Sequence, residues 1–560
     1  MASETYDLLE EGWIPVLDMD GRTRLVGLAE AISEAHRWRW IDAEAPVVTA
    51  VLHRLLLAFA HRVYGPCDEA EWGKLWDAHA FPEDDRWNSY LQQHRRAFDL
   101  FGERPFFQSP GIPDSKFGTA AKLTMFRATG SNATLFDHTV ADERVELRPD
   151  EAARWLVTVQ AYDTGGTKTP FDKDKSSAPG LGNSFAAALL EGRTLKETLL
   201  LNMPVYSPEF EFPRHTHTED APLWERAEPP GPEPVKEGPP PAGWTELLTW
   251  PSRRIRLRAV RRGDGIWVDG VAILPGTRLG VPLADVEQMA AFRRKKPPAK
   301  DGKPPTFAPP TAVTLESLRG IWRHSTELLL PAEARSERIR PRTLDHVADM
   351  AGRGFIPSDH VYTLRVFGQR LNSQGGAVHA WFQETLPVPV ALLRADQRLP
   401  ALEQLLGHAV ELADKVGAQL DRLERRYAEA MGEPPPKANG PKRHLISQWY
   451  WPALEAPFGR MLRDLGAVLG SVPVTAPPDE VPRLVARRMI GLFDAWGARV
   501  RRTATDARHR WVVRTPRKPG REHLVLAGLD GACETAIRLA HRHYGLSVRN
   551  YLPLDGEEGE

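Results

Sequence analysis

The sequence predicts an α+β protein: a large mixed α/β N-terminal domain over residues 1–390 and a C-terminal four-helix bundle over residues 391–560. Three observations predict it. At 560 residues the chain exceeds what one hydrophobic core supports, so more than one domain is expected. Alternating apolar and polar runs, interleaved with helical stretches, occupy the first two thirds. After about Pro389 that alternation stops, and apolar residues recur in steps of four and three, as in packed helices.

Taken in order, Trp13 to Leu28 reads as a hairpin, with Ile14, Val16 and Leu17 facing Leu25, Val26 and Leu28 across Asp20-Gly21. From Pro46 to Tyr64, Val47, Val51, Leu52, Leu55, Leu56, Phe59 and Val63 cover most of a helix circumference, which predicts a buried helix with Pro46 in its first turn. An apolar segment from Trp155 to Val159 leads into a glycine-containing polar loop. Between Arg253 and Leu279, Ile255, Leu257 and Ala259 alternate with Arg254, Arg256 and Arg258, and Gly263-Asp264-Gly265 supplies a reversal. A second hairpin with one apolar and one arginine face is expected there. The Pro-rich stretches Glu228 to Pro241 and Pro297 to Pro310 read as exposed loops. A strand from Tyr362 to Phe367 and a segment from Val378 to Phe382 flank a second polar loop.

In the bundle, Leu402, Leu406, Ala409, Ala413, Val416, Leu420, Leu423 and Tyr427 form one helical stripe. A helix from Arg443 to Leu469 is expected to kink at Pro452 and Pro457. Another starts near Asp479 as its cap, with Pro482 in the first turn and Val485, Met489, Leu492, Phe493, Trp496 and Val500 inward. The last carries Leu526, Leu529, Cys533, Ile537 and Ala540.

Composition narrows the function. Lys+Arg number 73 against 74 Asp+Glu, a net charge of −1, which argues against a protein that coats nucleic acid electrostatically, so any such contact must be local. Hydrophobic residues at 42% and charged residues at 26% fit a soluble globular protein. Cys67 and Cys533 are the only cysteines, which excludes a disulfide framework or a four-cysteine zinc site and points to structural thiols in a reducing compartment. The acidic opening Met1-Ala2-Ser3-Glu4 carries no secretory signal, and no run of about 18 apolar residues that could span a bilayer is expected. A cytoplasmic protein without membrane contact is the expectation.

No signature of catalysis emerges. A G-x-S-x-G elbow, a P-loop, H-E-x-x-H and G-x-G-x-x-G are all missing where their mechanisms require them. His215-Thr216-His217 with Glu219 and Asp220 is the densest group of metal-ligand types, but it lacks a third ligand at diagnostic spacing. A metal-dependent nucleic-acid hydrolase built on His215, His217 and Glu219 is the rival reading, and a scaffold without DNA contacts is another.

Two Gly-containing loops are the stronger candidates: Asp163-Thr164-Gly165-Gly166-Thr167-Lys168 and Asn372-Ser373-Gln374-Gly375-Gly376. Glycine lets a backbone approach a partner closely, and Asn and Gln carry donors and acceptors suited to a base edge. Either loop could also be an ordinary turn. Gly180 and Gly182 form a competing glycine pair. Arg293-Arg294-Lys295-Lys296 with Lys300 and Lys303 is the strongest positive run, either a solvated face or a groove contact. Gly130 to His138, with Leu135 and Phe136, reads as a loop with an apolar anchor.

The ordered set Gly12-Trp13-Ile14-Pro15-Val16, Phe101-Gly102-Glu103-Arg104-Pro105-Phe106-Phe107-Gln108, Gln160 to Lys168 and Thr198-Leu199-Leu200-Leu201-Asn202 resembles the CasA family, the large subunits of the type I-E CRISPR surveillance complex Cascade. The resemblance spans essentially the whole chain. It implies a non-catalytic subunit without cofactor or metal that reads the protospacer-adjacent motif on double-stranded DNA from the minor groove, promotes duplex opening, and recruits a helicase-nuclease. The implied partners are target DNA, the CRISPR guide RNA, the other Cascade subunits and that effector. Residue by residue, the resemblance puts the glycine loop at Gly165, Gly166 and Thr167, the basic hairpin at Arg294, Lys295 and Lys296 with Lys296 entering the groove, and the wedge at Asn372, Ser373 and Gln374 with Gln374 inserted. Contact with the guide and neighbouring subunits falls on Leu135, Phe136, Asp137 and His138.

Overall fold

The structure is a computed structural model that describes residues 4–125, 145–206, 219–263, 265–294, 309–315, 319–331, 338–372, 374–394, 401–432, 445–472, 476–477, 480–515 and 521–552. The chain divides into two compact units. The first comprises 1–315, 337–355 and 364–384, and the second comprises 316–336, 356–363 and 385–560. The fold is α+β, as the patterning indicates.

In the first unit, Thr23–Val26, Ile14–Asp18 and Trp38–Ile41 form an antiparallel sheet in that order, and Ile14 faces Val26 across the hairpin. Gly21 takes φ +81° in the turn, and Asp18 Oδ1 accepts from the amides of Asp20 and Arg22 at 3.0 and 2.9 Å, which closes it. The helix Pro46–Tyr64 runs through the core with 94% of its apolar window buried. By length and composition alone it could cross a membrane, which corrects the expectation that no such stretch exists. Two of its buried polar side chains find partners inside the unit: Arg54 donates to both carboxylate oxygens of Glu287 at 3.0 and 2.9 Å, and His61 Nε2 lies 3.0 Å from the carbonyl of Pro204.

Arg253–Arg262 pairs with Gly265–Pro275 in the long hairpin read from the sequence, and Gly263 takes φ +58° at the reversal. A register shift between Arg258 and Ala259 breaks the alternation. Ala187–Glu191, Val361–Leu371 and Val378–Pro389 make a further sheet with Val361–Leu371 in the middle. A small sheet sets Phe292–Arg293 between Thr311–Ala312 and Arg338–Ile339.

The second unit holds four long helices, Leu402–Ala430, Pro452–Gly470, Val481–Arg514 and Arg521–Tyr551. All eight residues of the predicted stripe from Leu402 to Tyr427 are buried. Trp496 Nε1 donates to the carbonyl of Ala409, and Tyr544 to that of Phe493, at 2.9 and 3.0 Å. Gly417 admits Trp451, because a Cβ there would lie 2.4 Å from the indole. The segment expected from Arg443 splits as foreseen at Pro452, into Ser447–Tyr450 and Pro452–Gly470, while Pro457 is carried inside the second piece. The third helix is entered through Glu480, and Asp479, expected as its cap, lies outside the described residues. The second unit also takes in residues well before 390. Trp322, 1% exposed, packs against Trp451, Phe458 and Trp496, and Arg323 pairs with Asp414 at 2.8 Å.

Candidate nucleic-acid interface

The first glycine loop begins where the helix Pro149–Tyr162 stops. Asp163 leaves the helical conformation at ψ 143°, and its carboxylate turns inward rather than toward solvent. Arg253 Nε donates to it at 2.5 Å and Lys168 Nζ at 2.9 Å. Burial pushes the Asp163 carboxyl up, but the two cations outweigh that and hold it below its ordinary value. Burial likewise lowers the Lys168 ammonium, against the pull of Asp163. Arg253 also donates to the carbonyls of Thr164 and Ala178 at 3.1 and 2.8 Å, so one buried guanidinium fastens both sides of the loop.

The second loop is built by its own asparagine. Asn372 Oδ1 accepts from the Gly376 amide at 3.0 Å, and the Asn372 carbonyl accepts from Gly375 at 2.8 Å, with Gly375 at φ +70°. That employment makes Asn372 a turn former, and Gln374 is left exposed at the tip. The strand leading into the turn is anchored by Gln369, whose Nε2 donates to the carbonyl of Tyr162 at 2.8 Å and to Asn183 Oδ1 at 2.9 Å, while its Oε1 accepts from Trp381 at 2.6 Å.

The two loops, some two hundred positions apart in the chain, are joined directly: the Gly165 amide donates to the Gly375 carbonyl at 2.8 Å. Gly165 is buried in that seam, where a Cβ would lie 3.0 Å from Pro179 Cδ and 3.3 Å from the Gly375 oxygen. Gly166 is the opposite case. It is exposed at φ +98° with nothing within 4 Å of its Cβ position, and it opens the hairpin Gly166–Phe171/Asp174–Ser177 together with exposed Thr167. The competing glycines pack inward: a Cβ on Gly180 would sit 2.5 Å from the Ala161 carbonyl, and one on Gly182 would sit 2.8 Å from the Tyr162 ring. Those two serve helix packing, so the surface turn belongs to Gly166.

The arginine face of the Arg253–Arg262 strand is not an open basic surface. Arg253 and Arg254 are buried, the latter donating to the carbonyl of Pro251 at 3.1 Å, and burial lowers its guanidinium to about 10. Arg256 pairs with Asp114, Arg258 with Asp269, Arg261 with Glu4 and Arg262 with Glu146. Alternation gave the face correctly but not what covers it.

Arg294 is half-buried beside the exposed Arg293, which pairs across the small sheet with Thr311 and Arg338. Lys295, Lys296, Ser373, the segment Leu135 to His138, and His215 with His217 lie outside the described residues. Asp220, next to that last pair, is fully buried as a helix cap, accepting from Tyr206 at 2.8 Å and from the amides of Thr245 and Glu246 at 3.0 Å. It is not positioned as a ligand. Among the described residues no three His, Cys, Asp or Glu side chains come together to hold a metal. Cys67 is exposed, contrary to its reading as a structural thiol, whereas Cys533 is buried. Reasoning from sequence missed Arg253, Gln369 and Pro179 as parts of the site, and Gln160 of the quoted segment was the nearest signal, since its Oε1 accepts from the Arg253 amide at 2.9 Å.

The geometry is that of two glycine turns joined by one main-chain hydrogen bond, with Gly166, Thr167 and the Gln374 side chain exposed at the surface. Residues 7–507 match the family described as CRISPR-associated protein Cse1. The CRISPR-associated protein CasA/Cse1 of Thermus thermophilus is 31% identical over 482 residues, 82% of this chain and 87% of that one. The crystal structure of Cse1 from Acidimicrobium ferrooxidans is 26% identical with a TM-score of 0.72, covering 99% of this chain and 100% of that one. A chain of a CRISPR RNA-guided surveillance complex shares the fold at 18% identity and a TM-score of 0.71, over 95% of this chain and 99% of that one. The chain belongs to the CRISPR-associated Cse1 (CasA) family.

Proposed function

We propose that this chain is the non-catalytic large subunit of a type I-E Cascade surveillance complex, and that the joined loops read the protospacer-adjacent motif from the minor groove of duplex DNA. The Gly165 to Gly375 hydrogen bond carries the reading, because it makes one probe of two loops with the exposed Gly166 and Gln374 on the same base. Gly166 offers main-chain groups where a side chain would obstruct the narrow groove, and Gln374 is the side chain that enters the first target step. Lys296 supplies a cation to the groove, and Leu135, Phe136, Asp137 and His138 contact the guide RNA and neighbouring subunits. The protein reads only a short tag and base pairing reads the rest, so a near-neutral subunit with weak, reversible duplex contact suits the task. Bond cleavage falls to a recruited helicase-nuclease. The complex acts in the cytoplasm.

Gln374→Ala should leave first contact with tagged duplex intact and slow strand opening by about tenfold, since unstacking a step costs a few kcal/mol. Base-analogue fluorescence in the assembled complex measures it, and equal opening rates for parent and variant would remove the wedge. Lys296→Ala should weaken duplex engagement and reduce the slope of log affinity against log salt by about 0.9. An unchanged slope assigns Lys296 to solvent. If metal-loaded protein without partners cleaved nucleic acid, and His215→Ala abolished the cleavage, the hydrolase reading would replace this one.

A further inference from the structure

Behind the glycine loop lies an open cleft of about 760 Å³, shaped by the hairpin Gly166–Phe171/Asp174–Ser177 and by the segment after Pro275. Pro179 and Arg253 line it, and these same residues hold the seam between the two loops, so the cleft is continuous with the proposed reading site. Its charge is one-sided. Lys173, Lys175, Lys236 and Arg278 stand on its wall and are exposed, with Asp174 as the anionic side chain among them. Asp174 is taken by Lys236 at 2.9 Å. Lys173, Lys175 and Arg278 have no ion pair among the described residues, in contrast to the neighbouring strand, where Arg256, Arg258, Arg261 and Arg262 are each matched to a carboxylate. Three unmatched cations in a concave surface, on a chain whose net charge is −1, make a local anion site of extended shape.

We infer that this cleft holds the phosphate backbone of the duplex flanking the tag, with Lys173, Lys175 and Arg278 as its phosphate contacts. The inference rests on the minor-groove reading and deepens it. The minor groove is only about 6 Å wide, so a loop seated in it has a phosphate strand running along each side. The surface flanking the Gly166 turn must then accept one of those strands, and this cleft is the basic surface that begins there. Backbone contacts of this kind set register and orientation without reading sequence. The exposed hydroxyls of Ser176 and half-buried Thr277 add neutral donors along the same wall.

The test is a triple variant, Lys173→Gln, Lys175→Gln and Arg278→Gln, in the complex assembled with guide RNA and companion subunits. Affinity for tagged duplex is titrated across a salt series with the flank beyond the tag either long or trimmed back to it. The expected result is a salt slope smaller by about 2 to 3, at about 0.9 per phosphate contact, together with a loss of the parent's dependence on flank length. A Lys173→Arg, Lys175→Arg, Arg278→Lys variant should restore both. Parental slope and parental flank dependence in the glutamine variant would overturn the inference, and so would a single-stranded flank that binds the parent as tightly as a duplex one. An acidic protein as the true occupant would show itself as unchanged DNA binding with loss of a companion subunit from the assembly, which also overturns it. Failure of the minor-groove reading itself is seen separately, as undiminished affinity of the parent complex for tagged duplex whose minor groove at the tag is filled by a groove-binding ligand.

Discussion

Arg253→Met is expected to abolish engagement of tagged duplex by the assembled complex and to destabilise the first unit by about 3 to 5 kcal/mol, the usual consequence of breaking a buried ion pair from one side. The Arg253 side chain is 2% exposed and bonds Asp163, the carbonyls of Thr164 and Ala178, and that of Ser252 at 2.9 Å. Methionine fills similar volume but donates nothing, so the Asp163 carboxylate keeps Lys168 alone, the Thr164 carbonyl loses the guanidinium, and that of Ala178 is left with the Ser177 hydroxyl at 3.2 Å. The strut under Gly165 goes with them, and the alignment of Gly165 on Gly375 follows. Arg256→Met is the control on the same strand. Its partner Asp114 is 84% exposed, and an exposed pair contributes about 1 kcal/mol or less. Denaturant midpoints and duplex titrations for the two variants should therefore separate widely. Similar small losses for both would show that the buried cluster does not support the loops.

The contrast between these two arginines also marks where sequence reading stops. A period of two assigns Arg254, Arg256 and Arg258 to one face, but nothing in that period says that some of the face is covered by protein, and Arg253, formally on the other face, became the hub of the loop site. Bundle helices fared better, because a stripe such as Leu402 to Tyr427 has only one way to be buried. Trp322 illustrates the reverse: a short apolar segment carries too little period to reveal that it joins the second unit. Both glycine loops were legible as candidates from composition. Their hydrogen bond to each other was not, since it depends on Gln369 and Pro179 bringing distant segments together, a tertiary fact without local signature. Gly166 and Gly180 look alike in sequence and differ only in what their missing Cβ would strike.

The largest effect of solution conditions is expected from two histidines that never reach solvent. His53 is 1% exposed and His346 5%. Burial drives both down to about 3, with Arg365 adding to the shift at His53 and His61 at His346, while hydrogen bonds to the backbone of Thr49 and Leu200 oppose it. Nε2 of each has no hydrogen-bond partner among the described residues, so a proton placed there would be a buried charge without compensation. In the unfolded chain both titrate near about 6.5. Between about 6.5 and 3 the unfolded state therefore binds more protons than the folded one, and stability is complete above the unfolded value and falls as pH drops through that window. Two sites over two pH units, at about 1.4 kcal/mol per unit each, amount to about 5.5 kcal/mol lost by pH 4.5. Asp163 runs the same way but later, because its depressed carboxyl loses its contribution only as pH falls below the unfolded carboxylate range. Proton uptake on unfolding at pH 5, measured by calorimetry in buffers of different ionisation enthalpy, should be about two beyond that of a His53→Met, His346→Met variant. An identical uptake in parent and variant would mean that both imidazoles gain water or a partner when charged, and the acid sensitivity would then belong to the carboxylates alone.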